Sequence, residues 1–141
     1  MRFWDSSALA PLVVTEPSTT TMRDLADDER RIVVWWAAAV ECASAVARRE
    51  RSGDLDAKGA SEALITLDGL TGDWSEVPPT GRLRDNARRL VRVHDLRAAD
   101  ALQLAAARTA SDERPGMLPF VTLDERLALA ASREGFPVLG V

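Results

Sequence analysis

Short β-rich runs and longer runs of helical spacing alternate from one end of this chain to the other. No other feature of the sequence constrains the fold as much. Arg2–Asp5 reads as a strand entering an acid, Arg31–Trp35 (RIVVW) as a short apolar strand, and Trp74–Val77 as an edge strand before Pro78-Pro79. Leu118–Leu123 and Pro137–Leu139 complete the set. Helical patterns fill the gaps: Ser6 or Ser7 to about Val14 with a serine as cap, Pro17 to about Asp28 with Thr15 near its cap, and Ala37–Arg51 ended by Ser52-Gly53. Asp54–Leu70 follows with Asp54 as its cap, then Arg82–Val93, Ala98–Ser111 and Glu125–Arg133. Short apolar strands separated by helices form a mostly parallel sheet covered on both faces. At 141 residues the chain is the size of one domain, residues 1–141. In such α/β sheets ligands bind beyond the carboxyl ends of the strands, so the residues that follow the strands are the ones to inspect.

Composition removes several chemistries. His94 is the only histidine, there is no tyrosine, and Cys42 is the only cysteine. A pair of histidines acting as acid and base is therefore excluded within one chain, as are an intramolecular disulfide framework and a multi-cysteine zinc site. No apolar run reaches bilayer-spanning length, and an acid at position 5 does not suit a secretory leader. A cytoplasmic protein without a membrane association is the expectation. The net charge of −4 argues at first against nucleic acid, but it is unevenly spread. Between Pro79 and Arg97 six arginines face two aspartates, which makes that segment +4 and the remainder −8.

Four carboxylates stand out. Asp5 and Asp124 directly follow strands, and each could simply cap a helix. Glu41 is the only charged residue in Ile32–Ala47, a stretch so apolar that its helix should be largely buried. A carboxylate there is costly unless it is paired, protonated or bound to a cation, and an arginine partner is the plain alternative. Asp100 is the only acid in Leu96–Ala107, early in a helix, with Arg97 three residues before it as the ordinary ion-pair partner. Brought to one edge, four acids repel and raise one another's pKa values. A hard divalent cation relieves that, and carboxylate oxygens suit Mg²⁺ or Mn²⁺. Such an ion can activate water and stabilise a phosphodiester under attack without any histidine.

These segments resemble the PIN-domain ribonucleases, and in particular the VapC-type toxins of bacterial toxin–antitoxin pairs. FWDSSAL, AAAVECASA, LRAADALQLAAA and FVTLDERLALAA carry the four acids in the family's order and span the whole chain. One departure is Gln103, where a histidine is common in the family. The resemblance implies a three-layer PIN-like sandwich and an Mg²⁺- or Mn²⁺-dependent endoribonuclease that leaves a 5′-phosphate and a 3′-hydroxyl. It implies that Asp5, Glu41, Asp100 and Asp124 ligate the metal or hold the attacking water, with Ser6 and Thr122 hydrogen-bonded behind them. It further implies a tRNA or rRNA substrate, a homodimer and a cognate VapB-type antitoxin.

Arg84, Arg88 and Arg92 recur at i+4 spacing and share one helix face, either as a track for RNA phosphates or as an ordinary solvated face. Trp35 and Trp36 are expected to pack in the core rather than stack on bases. Cys42 reads as inert packing, and His94 as a surface or helix-end residue. Two rivals remain. A dehalogenase-type phosphatase needs a second aspartate where Ser7 stands. A catalytically silent PIN fold that only binds RNA or protein would have no use for four intact acids.

Overall fold

The computed structural model describes residues 1–141. Its elements are β1 (Arg2–Trp4), α1 (Ser6–Val13), α2 (Thr19–Asp28), β2 (Ile32–Trp35), α3 (Ala38–Ser52), α4 (Ala57–Asp73), β3 (Ser75–Val77), α5 (Gly81–Val93), α6 (Ala98–Ala110), β4 (Phe120–Val121), α7 (Glu125–Arg133) and β5 (Val138–Leu139). A 3₁₀ turn, Pro115–Met117, precedes β4. The five strands form one sheet in the order β3-β2-β1-β4-β5, and every pairing is parallel. The α/β sandwich with helices on both faces is therefore as expected.

Strand alternation divides the core in two, because neighbouring side chains on a strand point to opposite faces. Phe3, Val33 and Phe120 face the layer built by α5, α6 and α7, where Leu83, Leu90, Leu104 and Leu127 close the packing. Phe3 stacks on Phe120 at 5.3 Å, and Phe120 meets Phe136 at 5.7 Å. Trp4, Val34 and Val121 face the other way, into the layer of α1 to α4 with Leu9, Met22, Val46 and Leu67. Helices before β3 thus cover one face, and helices after it cover the other.

The same topology fixes where a ligand can enter. The chain steps outward from β1 to β2 and β3, then returns to place β4 on the opposite side of β1. The order reverses between β1 and β4, and a crevice opens at the carboxyl ends of strands flanking such a reversal. The residues that follow those two strands are Asp5 and, three positions beyond β4, Asp124.

Several local expectations need correction. The first helix is capped not by a serine but by Asp5, the plain alternative for that acid: its side chain accepts from the Ser7 amide, and Ser6 is already helical. The second begins at Thr19 behind Ser18, later than the Pro17 start expected with Thr15 near the cap. Asp56 rather than Asp54 caps α4, which runs on to Asp73, and Trp74 ends that helix instead of starting β3. β4 keeps only Phe120 and Val121 of the expected Leu118–Leu123 strand. Leu118 is buried at the end of the 3₁₀ turn, Thr122 still donates its amide to the Leu139 carbonyl at 3.0 Å, and Leu123 turns away toward α7 with its amide on the Ser7 hydroxyl. Helix α3 ends as expected on Gly53, at φ +87, but it is not buried all round. Only Ala38, Cys42 and Val46 are, one stripe against the sheet, while Val40 is 70% exposed. Trp35 packs inside, whereas Trp36 lies beyond the strand end and is 55% exposed.

A candidate active site at the sheet's reversal

Asp5 is held in place by its neighbours on both sides of the reversal. Its backbone amide donates to the Val121 carbonyl at 3.1 Å, which ties the end of β1 to β4. Ser7 donates to its carboxylate twice, from the amide to Oδ2 at 3.1 Å and from the hydroxyl to Oδ1 at 2.8 Å. The Ser7 hydroxyl also accepts from the Leu123 amide at 2.9 Å and lies 3.2 Å from Thr122 Oγ1. Thr122 Oγ1 in turn accepts from the Asp124 amide at 3.0 Å. One serine therefore joins the β1 acid to the β4 loop. Gly140 backs this loop: at φ +104 it passes the Thr122 carbonyl so closely that a Cβ there would lie 2.4 Å from the oxygen. Only glycine fits that approach.

Asp5 is 3% exposed. Burial pushes its carboxyl up from the ordinary aspartate range to about 6, against the lowering effect of the Ser7 and Thr122 hydrogen bonds, and the Asp124 charge adds to the rise. Asp100, half-buried in the first turn of α6, is raised as well, by desolvation first and by the Asp124 charge second. Asp124 caps α7, with Oδ1 accepting from the Leu127 amide at 2.8 Å and the other oxygen uncommitted. Asp100 and Asp124 open together into a cleft of about 630 Å³ whose other lining residues are Arg97, Ala99, Glu125 and Arg126.

Glu41 completes the arrangement from α3. The Ser6 hydroxyl donates to its Oε2 at 2.7 Å, and Gln103 Nε2 donates to both of its oxygens at 3.2 and 3.3 Å. No arginine pairs with it, so the ordinary explanation of an acid in an apolar segment does not apply here. Gln103 sits one turn beyond Asp100 on α6, and its hydrogen bonds to Glu41 link α3 and α6 across the site. Its Oε1 is buried and has no hydrogen-bond partner. Cys42 is buried, and its thiol is pushed up to about 12 by desolvation and by the charges of Glu41 and Asp5. At that value it is a packing group and not a nucleophile.

The four acids thus face one edge of the sheet from four different elements, and Ser6 and Thr122 make hydrogen bonds behind them. No three carboxylate, imidazole or thiol groups are drawn together tightly enough to cage an ion as they stand. The donor set nonetheless fits a hard cation. It is all oxygen, partly desolvated, and Asp5 and Asp100 carry a like-charge penalty from Asp124 that a divalent ion would remove. Arg84, Arg88 and Arg92 are all exposed on α5. Arg88 and Arg92 line a different surface groove, with Asp85, Arg89 and Val93.

Two residues of the site, Ser7 and Arg126, are not among the site residues expected from sequence, where Ser7 figures only as a candidate helix cap. Ser7 had a signal, since a serine two residues after an aspartate is placed to bond its carboxylate in an Asx-type turn. Arg126 had none, because the sequence does not show which loop faces Asp100. His94 is a helix-end residue, the C-cap of α5, as expected, but not a surface one. Its side chain is 6% exposed, and its Nε2 lies 2.7 Å from Glu134 Oε1.

The PIN domain family model matches residues 2–132. Two proteins of Mycobacterium tuberculosis, Ribonuclease VapC45 of strain CDC 1551 / Oshkosh and Ribonuclease VapC49 of strain H37Rv, are each 29% identical to this chain over 133 residues. The matched region covers 94% of this chain and 90% of theirs. Among solved structures, FitAcB from Neisseria gonorrhoeae superimposes with a TM-score of 0.69 at 16% identity, covering 99% of this chain and 97% of that one. PAE2754 from Pyrobaculum aerophilum gives 0.65 at 21% identity, with 92% and 83% covered. Both share the fold.

Proposed function

This chain belongs to the PIN domain family, and on that footing we propose that it is a divalent-metal-dependent endoribonuclease, the toxin of a VapBC-type pair. The observation that carries the reading is the set of desolvated, mutually repelling carboxylates at the sheet's reversal, with Asp5 buried and raised to about 6. The ribonuclease names of the two mycobacterial relatives agree with it. Asp5, Glu41, Asp100 and Asp124 would hold Mg²⁺ or Mn²⁺. The chemistry supplied by such an ion when bound is positive charge, which acidifies a water and offsets the charge on a phosphodiester under attack.

The chain's own residues prepare the oxygens for that work. Ser6 and Gln103 donate to Glu41, and Ser7 donates to Asp5, so both acids are fixed as acceptors in defined orientations. Asp124 keeps one oxygen free of its helix cap. RNA reaches this edge through the cleft beside Asp100 and Asp124. The exposed arginines Arg84, Arg88 and Arg92 offer a secondary track for RNA phosphates along α5. A tRNA or rRNA substrate, a VapB-type antitoxin covering the acidic edge and a homodimer complete the proposal. No helix is long and apolar enough to cross a membrane.

The test is cleavage of total RNA by the purified protein in Mg²⁺ or Mn²⁺. EDTA should abolish it, and Asp5→Ala or Asp100→Ala should reduce it by about 100-fold or more, the loss expected when positioned catalytic groups are removed. Cleavage that is indifferent to EDTA would refute the metal dependence. Wild-type protein that binds RNA without cleaving it would favour a silent binding module.

A further inference from the structure

We infer that Arg97 and Arg126 form a phosphate clamp across the acidic cleft, two positioning residues that hold the RNA backbone against Asp100 and Asp124. This rests on the ribonuclease reading above and adds to it how an acidic site admits a polyanion.

The two side chains come from different elements and meet at one cleft. Arg97 is the N-cap residue of α6, and Arg126 is the second residue of α7. Both line the opening that Asp100 and Asp124 share, with Glu125 as a third acid. An RNA strand entering there meets three carboxylates, and these two guanidiniums are the cations lining the same opening. Both are exposed, and neither is committed to a structural partner. Arg97 forms no ion pair within the chain. Arg126 reaches only Asp95, at 4.0 Å, and the Asp95 side chain is 93% exposed. A solvated pair at that distance is worth little and is readily given up.

Arginines elsewhere in the fold behave differently. Arg2 is bonded to Asp28, Arg49 to Glu16, and Arg89 and Arg108 to Glu134. Those serve the architecture, whereas Arg97 and Arg126 retain their donors. A guanidinium presents a planar fork that matches a phosphate through two parallel hydrogen bonds. Both arginines also stand at the starts of helices, where backbone amides add partial positive charge. The α5 arginines cannot replace them at this position, because Arg88 and Arg92 line a groove that shares no residue with the cleft.

The experiment compares wild type with Arg97→Ala, Arg126→Ala, the double variant and Arg126→Lys, using Arg23→Ala on exposed α2 as the control. Turnover of a short fluorescent single-stranded RNA in Mg²⁺ gives KM and kcat. Binding of the same RNA at a series of salt concentrations, in an Asp5→Asn background, gives the salt slope. The double variant should raise KM about tenfold or more with little change in kcat. It should also flatten the log–log salt slope by about 1.4, at roughly 0.7 for each single-strand phosphate that the protein no longer neutralises. Arg126→Lys should recover the slope, which counts charge, but only part of the KM, which also needs the fork. If the wild type cleaves RNA and the double variant matches it in KM and slope, the clamp is wrong and the nuclease reading stands. A fall in kcat at unchanged KM would also overturn it, since the arginines would then act on the chemistry and not on positioning. If the slope falls as expected but no protein in the series cleaves RNA, the clamp stands and the nuclease reading fails.

Discussion

Two charged regions of this molecule obey opposite rules. Glu134, which ends α7, is 9% exposed and is surrounded by two guanidiniums, Arg108 at 2.5 Å and Arg89 at 3.0 Å, and by the His94 imidazole at 2.7 Å. Arg108 reaches on to Glu113. Burial alone would raise the Glu134 carboxyl. Hydrogen bonds from His94 and Arg89 and the charges of Arg89 and Arg108 outweigh it, so the group lies below its ordinary range. At the sheet's reversal Asp5 and Asp100 are desolvated beside Asp124, and both lie above theirs. The first region uses its charges to join α5, α6 and α7. The second leaves its like charges only partly offset, by the charges of Arg97 and Arg126 at Asp100, a cost to stability that a cation bound there would relieve. The difference separates charges paired within the architecture from the charges that the proposed site would use.

The largest expected effect follows from the sign of those shifts. Asp5 titrates near 6 in the folded protein, against an ordinary value of 3.8. Between these values the folded state binds the extra proton, so stability falls as pH rises from about 4 to 6. The full loss is of order 3 kcal/mol at neutral pH, at about 1.4 kcal/mol per unit. Glu134 has the opposite slope: its contribution is complete above the ordinary glutamate range and is lost as pH falls below it. Urea unfolding in EDTA across pH 3.5–8 should therefore show a maximum on the acid side of neutrality. Asp5→Asn should remove most of the decline toward pH 6, leaving the share that belongs to the raised Asp100, and should leave the acid limb intact. A profile that rises steadily from pH 4 to 7 in EDTA would erase the distinction between the two regions.

Glu134→Gln breaks the comparison from the other side. It strips the only carboxylate that Arg89, Arg108 and His94 share, and it leaves cations crowded where α5, α6 and α7 meet. Arg89 is 45% exposed and can turn to water, whereas Arg108 is 22% exposed and its Nε is already without a partner. A loss of about 2 kcal/mol in urea unfolding at pH 7 is expected, below the range for a wholly buried pair because solvent screens Arg89. RNA cleavage measured well below the melting temperature should be unchanged. Loss of cleavage in a folded Glu134→Gln protein would mean that this cluster also serves the site.

The two regions also differ in how far the sequence disclosed them. Asp5, Glu41, Asp100 and Asp124 were legible because each is an acid in otherwise apolar or strand-ending context, a local conflict that needs a reason. The sheet was legible because Phe3-Trp4, Val33-Val34 and Phe120-Val121 are apolar at both of their positions, as strands covered on two faces must be. Glu134 carried no such mark. It sits in a polar stretch, SREG, and its partners come from 26 to 45 residues away, so only the docking of three helices reveals it. Caps were misplaced where several side chains could serve: Ser6, Ser7 and Asp5 are equivalent on paper, and the end of β1 decides in favour of Asp5. Trp36 lies outside although its type favours burial, because the strand ends one residue earlier and turns it outward.

The smallest effect concerns the Ser7 hydroxyl, which ties the Asp5 carboxylate to the β4 loop. Ser7 Oγ donates to Asp5, lies against Thr122 and accepts from the Leu123 amide. Ser7→Ala keeps the shape of the turn and the backbone hydrogen bond from residue 7 to Asp5. It strands the Leu123 N–H and withdraws one of the hydrogen bonds that hold the Asp5 carboxyl down to about 6. The expected cost is about 1 kcal/mol in EDTA, typical of one missing hydrogen bond. The Asp5 midpoint should move upward, which a stability–pH profile reads as a decline extending beyond pH 6. Saturating Mg²⁺ should recover part of that stability if the ion compensates the same carboxylate. An equal loss with and without Mg²⁺ would make Ser7 a purely structural link between β1 and β4, and the charge at this edge would not be what the hydroxyl supports.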